Sequence, residues 1–65
     1  MNTSDVITLL VNSNLNYLVR SPYSHYVYAA FEHLIPAINY AKSSGMQVFS
    51  INEDKVIYEE VALPA

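Results

Sequence analysis

The chain has 65 residues, no cysteine, 52% hydrophobic and 14% charged side chains, and a formal net charge of -3. One small domain covering residues 1–65 is all that this length supports, and with no cysteine neither a disulfide framework nor a thiolate zinc site is open to it. Three basic residues are too few for binding along a phosphate backbone, the hydrophobic content argues against disorder, and no apolar run approaches the roughly 20 residues that span a bilayer.

Taken in chain order, Thr3 or Ser4 can cap a first helix, with Asp5 favourably placed at its positive end. Val6, Ile7, Leu10 and Val11 supply an apolar face, and Leu15, Leu18 and Val19 keep helical spacing with it. The spacing predicts a helix that continues through the poor helix formers of residues 12–16 to about Val19. Ser21 and Pro22 then read as the N-cap and first position of a second helix. This helix is predicted to run to Ser43 or Ser44, kinked at Pro36 and closed by Gly45, the only glycine of the chain.

Beyond Gly45 the pattern alternates, with two apolar runs flanking Asn52, Glu53, Asp54 and Lys55, a hairpin signal. Pairing Ile51 with Val56 places Phe49, Ile51, Val56 and Tyr58 on one face and Met46, Val48, Ile57 and Val61 on the other. Pro64 ends any strand. The expected fold is therefore α+β in the order ααββ, two helices followed by a C-terminal antiparallel β-hairpin, with the second helix packed on the hairpin. An isolated hairpin is marginal in water, so another chain is expected to complete its edge or its open face.

Candidate chemistry is sparse. His25 and His33 would lie about 12 Å apart along a helix and cannot share a metal ion unaided. Ser24 and His25 lack a third group to orient a base, and Glu59 and Glu60, neighbours on a strand, point to opposite faces. A single glycine excludes phosphate-cradling loops. Asn2, Thr3 and Ser4 match a glycosylation sequon, but no basic leader region accompanies it, so the expectation is a soluble, cytoplasmic chain without cofactor or metal that is not an enzyme.

Two surfaces stand out instead. On the predicted second helix, Val27, Phe31, Leu34, Ile38 and Ala41 fall in one column, the core stripe. Tyr26, Ala30, His33, Ala37 and Tyr40 fall in a second, where alanines framed by tyrosines would let another backbone approach closely. This second column is expected to be a seam with a partner or a second copy, the alternatives being contact with the first helix or the wall of a ligand pocket. Glu53, Asp54, Glu59 and Glu60 form an acidic docking surface for a basic partner, or a charge-protected strand edge. Only Arg20, Glu32 and Lys42 carry charge between Val6 and Asn52, which favours a chain that associates. The expected function is stoichiometric binding to a protein partner as inhibitor, adaptor or regulator, in an oligomer. A small-ligand module with a Tyr/His-lined pocket is the first alternative, and a small transcriptional regulator the second.

Overall fold

The computed structural model describes residues 1–59 of the chain. Its elements are α1 (Thr3–Leu9), β1 (Tyr17–Arg20), β2 (Val27–Phe31), α2 (Leu34–Ser44), β3 (Gln47–Ser50) and β4 (Lys55–Glu59). The strands form one antiparallel sheet in the order β2-β1-β3-β4. The class is α+β, but the order is αββαββ rather than ααββ: half of the sheet precedes the second helix.

Each departure has a local cause. Leu18 and Val19 keep helical spacing with Val11, yet they belong to a central strand buried on both faces, where a short apolar run replaces alternation. α1 ends at Leu9, with Leu10 as its C-cap, and the poor helix formers of residues 12–16 do not extend it, since tertiary packing does not hold them helical. The N-cap is Asn2, ahead of the predicted Thr3 or Ser4, and its Oδ1 accepts from the Asp5 amide at 2.9 Å.

Ser21 and Pro22 begin a hairpin turn, not a helix. The Ser21 Oγ accepts from the amides of Tyr23 and Ser24, its carbonyl accepts from His25, and its amide donates to the Tyr26 carbonyl at 2.9 Å. Ser and Pro serve turns as well as helix starts, and the β-prone run of residues 26–28 decides between them here. His25 takes the left-handed conformation that this tight turn requires, with φ 61°. Pro36 lies in the first turn of α2, where a missing amide proton costs nothing, so there is no long helix for it to kink.

The C-terminal half follows the sequence more closely. α2 ends at Ser44, and Gly45 caps it with φ 66°. The Met46 amide reaches back to the Ala41 carbonyl at 3.0 Å, a Schellman closure. β3 and β4 form the expected hairpin in a different register, Phe49 opposite Val56 and Ser50 opposite Lys55. A bulge after Val48 sets Tyr58 opposite Val48 and so moves the tyrosine to the face predicted for Val48. The Val61 and Pro64 expectations lie outside the described residues.

Because β2 and β3 flank β1 and run parallel to each other, the link between them must cross the sheet, and α2 provides it. Ala37 and Ala41 of α2 are fully buried against Val19 and Val48, with Tyr17, Ala29, Phe31, Ile38, Met46, Ile57 and Tyr58 around them. α1 covers the opposite face, where Val6 meets Leu18 and Phe49 beside Ile7, Leu10, Val27, Ala30 and Ile51. The two-faced hairpin foreseen from sequence is thus covered by the chain's own helices, one on each face of a four-stranded sheet.

Candidate functional site

The two edges of the sheet are chemically unlike. β4 carries Lys55 and Glu59 at its ends and follows a turn holding Glu53 and Asp54. Charge of this kind discourages strand-to-strand association. The opposite edge, β2, reads Val-Tyr-Ala-Ala-Phe, with neither charge nor proline. Its start is protected in two ways. Tyr28 is the extra residue of a bulge, since Val19 faces Ala29 and Arg20 faces Val27, and the Val27 amide donates to the Met1 carbonyl at 2.7 Å. From Ala29 to Phe31 the strand pairs only with β1 among the described residues.

Around that edge stand exposed rings. Tyr23 in the β1–β2 turn is 85% exposed, Tyr26 50% and Tyr28 54%. Tyr26 and Tyr28 meet at a tilt, ring centroids 4.9 Å apart and planes inclined by 57°. On the α2 side, Tyr40 tilts onto Phe31 at 5.8 Å. Leu34 and Ile35, at the start of α2, also stay exposed. The tyrosines enclose no pocket among the described residues; they form an open surface.

The predicted seam residues are distributed over three elements, because residues 26–40 are not one helix. Tyr26 ends the turn and Ala30 lies in β2, half-buried on the α1 side. His33 is the exposed N-cap of α2 and makes no capping hydrogen bond with its side chain. Ala37 is 0% exposed against the chain's own sheet, and Tyr40 is partly exposed beside Phe31. The structure brings Tyr26 together with Tyr28, not with His33 or Tyr40 in a column. Of the acidic set, Glu53 and Asp54 share the β3–β4 turn, whereas Glu59 stands at the far end of β4; Glu60 lies outside the described residues. Glu53 meets Lys55 at 4.0 Å in an exposed pair that contributes little.

A feature that sequence reasoning missed lies on the α1 face. Arg20, Gln47 and Glu59 are consecutive partners across β1, β3 and β4. Arg20 Nε donates to Gln47 Oε1 at 2.6 Å, and Gln47 Nε2 donates to Glu59 Oε2 at 3.0 Å. Arg20 also donates to Thr3 Oγ1 at 2.9 Å, and Thr3 donates to the His25 carbonyl at 3.3 Å. The guanidinium carbon lies 4.5 Å from the centre of the Phe49 ring. Burial pushes the Arg20 guanidinium below the usual arginine range, and Glu59 offsets part of that. The ladder ties the N-terminal segment to three strands, and among the described residues no cavity opens beside it. No signal in the sequence could have paired Arg20 with Gln47 without the β1–β3 register.

Among the described residues, no group of three or more His, Asp or Glu side chains is placed to hold a metal ion, and no helix is long and apolar enough to cross a membrane. No family model matches the sequence, and neither the search of curated proteins nor that of solved structures finds a match.

Proposed function

We propose that this chain is a small cytoplasmic, non-enzymatic interaction protein that acts by stoichiometric contact with another protein. The observation that carries the reading is the uncharged β2 edge flanked by exposed Tyr23, Tyr26 and Tyr28. Tyrosine supplies large contact area at small entropic cost and keeps a polar tip, which is why it recurs at protein contacts. A strand edge that is open among the described residues, beside such rings, offers main-chain hydrogen bonds as well. The ligand-pocket alternative is disfavoured by the open arrangement of the rings. The regulator alternative loses one of its three basic residues, since Arg20 is buried in the ladder.

Affinity capture from the native host with quantitative mass spectrometry tests the reading, comparing the parent chain with a Tyr23→Ser/Tyr26→Ser variant. Both substituted side chains are exposed, so the fold should survive, as circular dichroism would check. The expected result is a partner, or a second copy, retained in near-stoichiometric amount by the parent and reduced by the variant. A parent chain that retains neither would overturn the reading.

A further inference from the structure

We infer that residues 1–3 clamp the β1–β2 turn, with Thr3 as its positioning residue, so that the tyrosines of the proposed contact are held in one geometry before a partner arrives. The inference rests on the reading of this turn as a contact surface and names the residue that fixes it.

The clamp closes on both sides of Tyr26. Ahead of it, the His25 carbonyl accepts from Thr3 Oγ1 at 3.3 Å; after it, the Val27 amide donates to the Met1 carbonyl at 2.7 Å. Within the turn, the His25 amide donates to the Ser21 carbonyl at 3.0 Å, and the Ser21 amide donates to the Tyr26 carbonyl at 2.9 Å. The Tyr26 amide donates to Ser24 Oγ at 3.3 Å. The main chain at Tyr26 is therefore held from several directions, while its ring stays exposed and rests against Tyr28.

His25 is where this turn would give way. Its φ of 61° is a conformation that an L side chain disfavours, and it persists only where surrounding bonds hold it. The bond from Thr3 has one possible direction. Arg20 can only donate, and it reaches Thr3 Oγ1 at 2.9 Å, so the Thr3 oxygen accepts and its own proton is left for the His25 carbonyl. Arg20 is itself buried and fixed by Gln47 at 2.6 Å, so the Thr3 hydroxyl is aimed from the interior of the sheet. A turn ordered in this way avoids the entropic cost that a mobile loop carries into binding.

Amide hydrogen exchange followed by NMR on the full chain tests the clamp. Thr3→Val removes the hydroxyl at nearly constant shape and should speed exchange of the His25 amide about fivefold, with resonance shifts across residues 21–27. Thr3→Ser keeps the hydroxyl and should restore the parent values. In a His25→Gly background, where the left-handed backbone is unstrained, Thr3→Val should leave the turn nearly unchanged. Changes confined to residues 4–9, or an equal rise at every amide, would mean that Thr3 only holds α1 or the fold as a whole, and would overturn the inference. Should Thr3→Val fail to fold, the parent decides: protected His25 and Val27 amides uphold the clamp, and unprotected ones overturn it. The capture experiment separates this inference from the reading beneath it. Thr3→Val should retain less partner than the parent, and Thr3→Ser as much. A Thr3→Val chain with a loosened turn and undiminished retention overturns the positioning role and leaves the proposed function standing. A parent that retains nothing ends the proposed function, and the exchange data still decide the clamp.

Discussion

Arg20 Nε and Gln47 Oε1 are 2.6 Å apart across the β1–β3 pair, in a chain of hydrogen bonds from Thr3 to Glu59. Arg20 is only 8% exposed and Gln47 3%, so removing one partner strands the other out of reach of water. Arg20→Ala should cost about 3 kcal/mol, combining an unsatisfied buried amide oxygen with the lost contact over Phe49. Urea denaturation followed by circular dichroism measures it. A cost near zero would mean that the ladder has no structural weight.

The pH dependence of that ladder follows from the sign of its shift. Burial holds the folded-state guanidinium below the usual arginine range, so in the alkaline range the folded state holds fewer protons than the unfolded one. Stability linked to Arg20 therefore rises with pH only as the guanidinium itself begins to titrate. From neutral to mildly alkaline pH the stability gap between the parent and Arg20→Met should stay flat, as parallel denaturation series would show.

Ala37 lies at 0% exposure between α2 and the sheet. Ala37→Leu should destabilise the monomer by about 1–3 kcal/mol through overpacking. Ala37→Arg should prevent folding altogether. Denaturant midpoints and two-dimensional NMR spectra distinguish this internal role from one at a subunit contact, which would alter association and leave the monomer folded.

Gly45 has φ 66°, and a methyl group built there would meet nothing within 4 Å. The penalty for Gly45→Ala is then backbone strain alone, about 1 kcal/mol, and Gly45→Asn should cost less. Thermal melts of the two variants check the order.

Pro36 gives a contrasting case. In the first turn of α2 it withholds an amide proton that has no partner there in any case, so Pro36→Ala should change stability by less than about 1 kcal/mol, mainly through unfolded-chain entropy. A large gain in helicity after the substitution would point instead to a helix held kinked by the ring.

The parts legible in the sequence are those that local chemistry decides. Gly45 ends α2 because only a left-handed residue closes that turn, and the polar tetrapeptide 52–55 marks the β3–β4 reversal. Illegible parts depend on partners far along the chain. Leu18 and Val19 occupy opposite faces of a sheet covered on both sides, and such a run cannot be told from a helix by its period. Ala29 and Ala30 favour helix on propensity alone and are held in β2 by pairing with Val19 and Leu18. The tyrosines were visible as amphipathic rings, but their grouping at an edge depends on that strand. Reading residues 26–40 as one helix joined Tyr26 to Tyr40 and overlooked Tyr23 and Tyr28.

The central claim is that protein contact is made at the β2 edge, and its most direct measurement is a series of amide NMR spectra on the labelled parent chain with increasing amounts of the protein retained in the capture experiment, a second copy included. The account predicts progressive shifts centred on β2 and on Tyr23, Tyr26 and Tyr28 beside it, with β4 unchanged. Shifts centred on residues 55–59, or none anywhere along the chain, would contradict it.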